Sequence, residues 1–401
     1  MDIEVLKMRC VGTVVRGIRT PIVKENDDLA TIVVDSVMAA KEAEGFEFRD
    51  KDIVAITEAV VGISEGNYVT VDDVAQDVEN KFPSKNIGVV NPILSRNRFS
   101  IILKGIARGM DKITLLTSFP SDEVGNGILD EEILEKSEYN LGSIISEEEY
   151  NETFGSWIHP FTGINMIDFY RELIEEEDCE VEFVFSNDIK TILDYNKDVL
   201  TCDIHTREKT TKLLKDLGAN VYGLHQILTE PIGYSGFNPD YGLLGSNKAT
   251  EERLKLFPKT GNILVKEVQK RLIDLTGKQI EVMVYGDGAF KDPVGKIWEL
   301  ADPVVSPAHT DGLIGTPNEI KLKYVSDNKF ADLKGDELKE AIKEEIKQKD
   351  KDLTGQMITE GTTPRRLTDL IGSLCDLTSG SGDKGTPVIF IQGYFDNLAD
   401  D

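Results

Sequence analysis

Strands and helices alternate along most of the chain, and this alternation is the feature that most limits how the chain can fold. An apolar run at 52–57 follows a helix expected over 27–44, which itself follows a strand expected over 9–18. The middle of the chain continues in the same way, with strands expected at 112–119, 179–186 and 199–204 and helices at 167–177 and 206–217. The pattern predicts a mixed α/β (α+β) fold.

The last third of the chain repeats the alternation. A helix over 262–276 is expected to stop at Gly277, because glycine readily takes the left-handed conformation that ends many helices, and a strand follows at 280–284. A helix over 364–377 and a strand over 388–392 are expected close to the end of the sequence. The last third therefore also belongs to the α/β pattern.

One segment departs from this pattern because it is almost wholly charged. Within 331–352, Leu338, Ile342 and Ile346 recur at four-residue spacing and form one narrow apolar stripe. A stripe of this kind is typical of a helix that packs one face on the protein and exposes the rest. We expect a charged surface helix here.

Composition limits what the chain can bind. Its 401 residues are 40% hydrophobic and 29% charged, which is enough apolar material to bury a sizeable core. The 72 Asp and Glu residues against 45 Lys and Arg give a net charge of -27, which repels nucleic acids. No apolar run approaches the roughly 20 residues of a membrane span, and no signal-peptide pattern is present. We therefore expect a cytoplasmic protein that acts on small molecules and binds neither nucleic acid nor membrane.

Three loops carry groups that suit an anion or a metal ion. The loop over 377–387 combines glycines and hydroxyls with Asp383, so its backbone amides can cradle an anion, although such loops are as often simple connections. Asp287 follows an apolar strand, a common place for a Mg²⁺ ligand, but Asp-Gly after a strand equally predicts a hairpin turn. The loop over 237–248 offers Asp240, Ser246 and Asn247 as oxygen ligands, with a plain surface loop as the alternative.

Two pairs of arginines are candidates for binding the anionic groups of a substrate. Arg96 and Arg98 lie in a basic stretch that also contains Lys104 and Arg108, and a solvated helix face that neutralises nearby acids is the alternative for this stretch. Arg365 and Arg366 lie at the start of an expected helix, where positive charge opposes the helix dipole. This placement favours a bound anion or a structural carboxylate beside Arg365 and Arg366.

Three stretches together resemble the coenzyme F420-0:L-glutamate ligase family. The first stretch is residues 19–29 with the strand at 52–54 and Ser64-Glu65-Gly66. The second includes Gly242, Ser246-Asn247, Leu275 to Lys278 and Asp287-Gly288, and the third is the last helix with the loop 380–385 and the strand that follows. They occur in the family's order and cover somewhat more than half of the chain.

The resemblance implies how the chain is divided. Family members have about 250 residues, which is within the range of one domain, so the additional residues here form insertions. We expect a discontinuous ligase-like core at 1–105 and 236–401 and an inserted α/β lobe at 106–235, and the charged helix at 331–352 lies within the second half of the core. We hypothesise that the lobe covers the acceptor pocket, with a structural addition or an oligomer contact as the alternative.

The resemblance also implies an activity. The family joins L-glutamate through its γ-carboxylate to the cofactor precursor, using GTP with Mg²⁺ or Mn²⁺, and we expect a homodimer. Two other interpretations remain: a ligase for another acceptor such as a folate, and a non-catalytic protein that binds a nucleotide or metabolite. The resemblance assigns catalysis to Asp287 and Asp240, metal binding to Asp240, Asp287 and Asp383, and nucleotide binding to Thr20, Pro21, Ile22, Val23, Ser246, Asn247, Gly380, Ser381, Gly382, Asp383 and Gly385.

The chain departs from the family pattern at several of these positions. Leu244 stands where the family has a metal-binding Asp, and Glu58-Ala59 replace a Ser-Thr pair that contacts the nucleotide. A family Lys corresponds to Ile63, and the acid of the terminal loop corresponds to Ser381, with Asp383 two residues further on. These departures bear on the choice of nucleotide and acceptor more than on the fold.

Overall fold

The computed structural model describes most of the chain. The described residues are 11–96, 98–160, 163–286, 306–353, 355–359, 365–379 and 383–400, together with the backbone of 289–291 and 298–300. Asp287, Gly380, Ser381 and Gly382, which the resemblance places in the active site, lie outside the described residues.

Strands are numbered in chain order. They are β1 Val14–Ile18, β2 Ile53–Thr57, β3 Tyr68–Thr70, β4 Asn86–Val90, β5 Lys112–Thr117, β6 Ile144–Ser146, β7 Glu180–Ser186, β8 Asp198–Thr201, β9 Asn220–Gly223, β10 Asn247–Thr250, β11 Arg253–Lys255, β12 Glu281–Tyr285, β13 Ala289–Lys291, β14 Trp298–Leu300, β15 Ala308–His309 and β16 Val388–Gln392.

Helices are numbered in the same way. They are α1 Leu29–Glu44, α2 Glu58–Ser64, α3 Val71–Lys81, α4 Arg98–Arg108, α5 Glu131–Lys136, α6 Glu147–Thr153, α7 Met166–Glu175, α8 Arg207–Asp216, α9 Gly261–Thr276, α10 Leu322–Asn328, α11 Gly335–Gln348 and α12 Leu367–Ser379. The mixed α/β fold expected from the sequence is confirmed.

A five-stranded sheet contains strands from both ends of the chain. Its order is β1-β16-β2-β12-β15, in which β2 and β12 are parallel and the other neighbours are antiparallel. The apolar faces of α1 and α9 pack on one side, where Val33 and Val268 are fully buried. On the other side, Ile371 of α12 packs against Ile53 and Ile389. The sheet is therefore covered on both faces, as its largely apolar central strands require.

A six-stranded sheet lies within the middle of the chain. Its order is β6-β7-β5-β4-β8-β9, and all neighbours are parallel except the edge pair β6 and β7. Helices α4 and α7 cover one face, and α8 with the 3-10 turn Ile189–Asp194 covers the other. Strand β4 lies at the centre of this sheet, so the sheet includes residues from before the predicted boundary at 105/106. The division into an inserted lobe and a core stays a prediction.

A small three-stranded sheet and a group of ion pairs connect these parts. The sheet has the order β10-β11-β3 and contacts α4. Arg108 of α4 pairs with Asp72, Glu177 and Glu252, which lie on three separate segments. Hydrogen bonds from Arg108 and Lys104 lower the pKa of Glu252 to about 2. Lys104 and Arg108 therefore neutralise nearby acids, which was the alternative for this basic stretch.

Most elements expected from local sequence pattern lie close to the observed ones. Helix α9 ends before Gly277, whose φ of 66° is left-handed, and β16 has the expected bounds. The charged segment forms α11, with Ile342 and Ile346 buried. Strand β4, a short run of five residues, was not expected from the sequence. No helix among the described residues combines the length and the apolar character that crossing a membrane requires.

The contact between α3 and α4 gives a test of the packing. A Cβ added at Gly105 of α4 would lie 2.7 Å from the side chain of Val74. Gly105→Ala should therefore lower the free energy of unfolding by about 1–2 kcal/mol, because overpacking exceeds the gain in helix propensity. Urea denaturation measures the change. Gly12→Ala, where nothing lies within 4 Å of the added atom, is the control. An equal or higher stability of Gly105→Ala would contradict this packing.

Candidate active site

Loops from distant parts of the sequence meet at one edge of the five-stranded sheet. Thr57 and Tyr285 end the parallel strands β2 and β12 and lie opposite each other. The Thr57 N–H donates to the carbonyl oxygen of Pro387 at 2.9 Å, just before β16. Ile18, the last residue of β1, pairs with Val388. The segments after β1, β2 and β12 and the segment before β16 therefore share the edge at which open α/β sheets bind ligands.

A buried ion pair lies at this edge. Glu58 directly follows β2 as the first residue of α2, and its residue is only 4% exposed. Its carboxylate lies 3.3 Å from the Nζ of Lys255 in β11, which is 8% exposed. The side-chain amide of Asn247 donates to the same carboxylate at 3.4 Å. Two opposite charges are thus held away from water, and each offsets the desolvation cost of burying the other.

The alternation of side chains along β11 explains why a lysine is buried here. Leu254 and Leu256 point into the core cluster that includes α3 and α4, so Lys255 between them points to the other side of the strand. There it meets α2, which approaches closely because Gly62 has no side chain: an added Cβ would lie 3.1 Å from the Leu256 carbonyl oxygen. Lys255 lies opposite Asn247 in the β10–β11 pair. The alternation along β11 and its pairing with β10 therefore bring the Lys255 ammonium and the Asn247 amide to Glu58.

The loop before β10 is fixed by two buried asparagines. The Asn238 side chain accepts from the backbone N–H groups of Asp240 and Tyr241 and donates to the Phe257 carbonyl oxygen. The Asn67 side chain also donates to the Phe257 carbonyl and accepts from the N–H of Phe237. These bonds hold in place the loop that ends at Ser246.

Glycine is required at Gly245 in this loop. Its φ is 70°, and an added Cβ would lie 2.3 Å from the ring of Phe257. The next residue, Ser246, is 2% exposed, and its Oγ has no hydrogen-bond partner. The loop therefore has a buried hydroxyl at Ser246, directly before Asn247, whose amide contacts the ion pair.

A second buried hydroxyl lies at the end of β12. Tyr285 is 1% exposed, and its phenolic oxygen makes no hydrogen bond of normal geometry, although the hydroxyls of Ser379 and Thr57 lie close enough to lower its pKa slightly. Burial raises the pKa of Tyr285 well above its usual range, so the hydroxyl keeps its proton at neutral pH. Ser246 and Tyr285 therefore each have an O–H group that can donate to a ligand. An orphaned buried hydroxyl is costly, which favours a site where something binds.

The first stretch of the resemblance lies beside the turn at Ser64. The N–H of Asn26 donates to the Ser64 carbonyl oxygen at 3.0 Å. The carboxylate of Glu65 accepts from the backbone N–H groups of Lys259 and Thr260, both at 2.9 Å, and so binds the amino end of α9. The first stretch and the start of α9 are thereby held against the same turn.

The predicted nucleotide-binding residues of the first loop have different surroundings. Val23 is buried in the core cluster with α1, whereas Ile22 is 88% exposed and Pro21 is exposed. The hydroxyl of Thr20 donates to the Pro21 carbonyl oxygen. Among these four residues only Thr20 has a polar side chain, and the nucleotide-binding role of the loop stays a prediction.

The predicted metal ligands are only partly described. Asp240 is exposed on the loop before β10, and Asp383 is exposed in the loop before β16, followed by Gly385 with a φ of 66°. Asp287, two positions after β12 in the sequence, lies outside the described residues. Within the described part of the chain, no group of three His, Cys, Asp or Glu side chains is arranged to hold a metal ion.

The arginines predicted to bind substrate lie elsewhere. Arg365 and Arg366 precede α12, and Arg365 affects the pKa of Tyr394, which follows the carboxyl end of β16. Because β16 begins at the edge beside Glu58, this arginine lies towards the opposite edge of the sheet. Arg96 and Arg98 lie after β4, at the carboxyl edge of the six-stranded sheet. The structure thus does not gather these arginines with Ser246 and Asn247.

Sequence reasoning assigned no role to Lys255 or Tyr285 and noted Glu58 only as a departure from the family pattern. One local signal was present: Lys255 interrupts the otherwise apolar run from Leu254 to Phe257. A lysine inside a buried strand requires a partner of opposite charge. The identity of that partner depends on the pairing of β11 with β3, which local sequence does not reveal.

Comparison with known proteins agrees with the resemblance. A family model described as F420-0:gamma-glutamyl ligase matches residues 17–393. The match spans nearly the whole chain, so the chain belongs to the F420-0:gamma-glutamyl ligase family. No curated protein matches the chain.

Removing the cation of the buried pair tests its role in the fold. Lys255→Met leaves the Glu58 carboxylate buried without its partner and should lower the free energy of unfolding by about 3–5 kcal/mol. The double variant Glu58→Gln/Lys255→Met should recover much of this loss, because no charge is then buried. Urea denaturation measures all three proteins.

The control is Lys112→Met, since the Lys112–Glu182 pair is 3.5 Å apart and each side chain is about two-fifths exposed. Such a pair contributes about 0–1 kcal/mol. A loss for Lys255→Met no larger than that of the control would contradict the account.

Proposed function

We propose that this member of the F420-0:gamma-glutamyl ligase family is a nucleotide- and divalent-metal-dependent amide ligase. It adds L-glutamate in γ-linkage to a small cofactor-like acceptor such as coenzyme F420-0, with GTP as the nucleotide. The observation that carries the proposal is the meeting of the segments around Glu58, Ser246, Tyr285 and Pro387 at one sheet edge. The family match to residues 17–393 supports the reaction class.

The proposed reaction has two steps. A carboxylate oxygen of one substrate attacks the γ-phosphorus of the nucleotide, the bond to the β-phosphate oxygen breaks, and an acyl phosphate forms. The amine nitrogen of the other substrate then attacks the acyl carbon, phosphate leaves with the bonding electrons, and the nitrogen loses a proton. Neither step needs a covalent enzyme intermediate, so the protein has to position the reactants and stabilise charge.

The buried hydroxyls are suited to positioning an anionic reactant and stabilising its charge. Ser246 Oγ has a proton and no hydrogen-bond partner within the protein, and the buried Tyr285 hydroxyl has only the Ser379 and Thr57 hydroxyls close to it. A carboxylate or phosphate oxygen is the acceptor that such donors bind most strongly. Glu58 balances the charge of Lys255, and Asn247 contacts the same carboxylate, so the cation is held in one position beside the donors.

A divalent ion would neutralise the transferring phosphoryl group when bound. Asp240, Asp287 and Asp383 are the ligands that the resemblance assigns to it. The two acids among them that the structure describes are exposed and are not part of a three-ligand group. We therefore assign no catalytic step to the ion, and metal dependence rests on the resemblance.

Binding of nucleotide should depend on metal. A net charge of -27 opposes a bare triphosphate, so GTP with Mn²⁺ should raise the Tm more than the sum of the shifts from GTP and Mn²⁺ alone. Differential scanning fluorimetry measures the shifts, and ATP in parallel tests the choice of nucleotide. Ser246→Ala should reduce the Tm increase that GTP and Mn²⁺ produce together. Ser137→Ala, just after the carboxyl end of α5, should leave that increase unchanged. Equal shifts with and without metal would argue against the proposal.

Asp287 gives a direct test of the metal site. Asp287→Asn should weaken Mn²⁺ binding at least about tenfold, because one anionic oxygen ligand is lost. It should also abolish release of GDP and phosphate when L-glutamate and coenzyme F420-0 are supplied. Asp274→Asn, an exposed acid near the end of α9, is the matched control. An unchanged Mn²⁺ isotherm for Asp287→Asn would remove this residue from the site.

A further inference from the structure

Buried polar atoms without hydrogen-bond partners are concentrated at one edge of the six-stranded sheet. Such an atom lies at the end of each of four adjacent strands, or one to two residues beyond it, in the order β5, β4, β8 and β9. These atoms are Thr117 Oγ1, Asn91 Oδ1, Asp203 Oδ1 and His225 Nδ1. Because buried polar groups in native proteins are nearly always paired, four orphans along one edge indicate that something else binds them.

This edge contains the point where the chain reverses direction across the sheet. From β4 the chain passes to β5 and β7 on one side, and it then returns to β8 and β9 on the other side of β4. The helices after β4 and β8 therefore pack on opposite faces, as the separate core clusters of α4 and α8 show. Open parallel sheets bind ligands in the crevice that such a reversal leaves beyond the carboxyl ends of the strands.

The backbone places the residues that carry these atoms at neighbouring strand ends. The Asn91 N–H donates to the Leu116 carbonyl oxygen at 2.7 Å, and the Cys202 N–H donates to the Val90 carbonyl oxygen at 2.9 Å. Asn91 therefore lies between the end of β5, at Thr117, and the segment after β8. Its φ of 44° is left-handed, a conformation that asparagine adopts more readily than most residues.

Only one of the two carboxylate oxygens of Asp203 has hydrogen-bond partners. Its residue is 3% exposed, and its Oδ2 accepts from the hydroxyls of Thr206 and Thr210 at 2.5 and 2.7 Å. Its Oδ1 has no partner, and no cationic side chain among the described residues pairs with it. A buried carboxylate in this state favours a group that brings positive charge and hydrogen-bond donors.

The usual anion position of the crevice is already filled by the protein. The carboxylate of Glu123, from the loop after β5, accepts from the backbone N–H groups of Ile204 and His205, at 3.0 Å in the second case. These amides precede α8, where a phosphate would otherwise bind. Arg207 donates to the Ile204 carbonyl oxygen, and Arg96 and Arg98 already have interaction partners. The crevice therefore does not suit an anion.

We propose that the crevice at the ends of β4, β5 and β8 binds the protonated amine of a small molecule. Asn91 Oδ1 and Asp203 Oδ1 can only accept hydrogen bonds, and Thr117 Oγ1 can accept as well as donate. An ammonium group supplies three donors from one atom and balances the charge of Asp203. This site lies on a different sheet from the Glu58 cluster and does not depend on the proposed ligase activity.

Simple amines provide the test on the full chain. Ethylammonium chloride should raise the Tm in a saturable way, since a ligand that binds only the folded state stabilises it. Tetramethylammonium chloride at the same ionic strength carries the charge without N–H donors, and ethanol at the same concentration has a donor without the charge. Neither should reproduce the shift.

Two variants that should fold locate the binding. Thr117→Val removes a buried orphan hydroxyl at nearly constant shape, and Asn91→Gly keeps the left-handed backbone while removing the amide. Each should raise the half-saturating ethylammonium concentration about tenfold, the effect of one lost charge-assisted hydrogen bond. Ser246→Ala, which removes an orphan hydroxyl at the other sheet, should leave it unchanged.

Three results would overturn the proposal. The first is the absence of a saturable shift with ethylammonium, which would mean that internal water satisfies these atoms. The second is an equal shift with tetramethylammonium, which would mean a general effect of cations on an acidic protein. The third is a half-saturating ethylammonium concentration that is unchanged in both Thr117→Val and Asn91→Gly, which would mean that the amine binds elsewhere.

Discussion

The buried pair of Glu58 and Lys255 is the interaction on which the arrangement of this molecule depends most. Glu58 follows directly from β2 at the centre of the five-stranded sheet, and Lys255 lies on β11, whose leucines pack in the core of the six-stranded unit. The pair therefore connects two separate cores through charges that neither can leave unpaired. Asn247, opposite Lys255, fixes the candidate active-site loop to the same point.

Both large sheets have buried polar atoms with unused hydrogen-bonding capacity at the carboxyl ends of parallel strands. At the five-stranded sheet these are the hydroxyls of Ser246 and Tyr285, the Glu58 carboxylate beside them is paired with Lys255, and one carboxylate oxygen of Asp52 is unsatisfied at the opposite end of β2. In the six-stranded sheet they are mainly acceptors, at Asn91 and Asp203, with the backbone amides occupied by Glu123. This difference in chemistry is the basis of the two proposals, an anionic substrate at the first edge and an amine at the second.

Local sequence pattern predicted the elements of this fold better than their assembly. The end of α9 at Gly277 and the bounds of β16 follow from residues within a few positions of each element. The central place of β4 and the partner of Lys255 depend on strand pairing between distant segments, which no local pattern contains. Ser246 and Asn247 were found from the polar loop over 237–248 and from the family motif that contains them, whereas Lys255 and Tyr285 become recognisable only when their burial is known.

Hydrogen exchange with mass spectrometry, with and without GTP and Mn²⁺, tests most directly that the five-stranded edge is the nucleotide site. The account predicts slower amide exchange in the segments around 57–66, 242–248 and 383–388, because ligand binding suppresses local opening there. Exchange around 91–98 and 202–207 should stay unchanged. Protection confined to those two segments of the six-stranded sheet, with none around Glu58 and Ser246, would contradict the account.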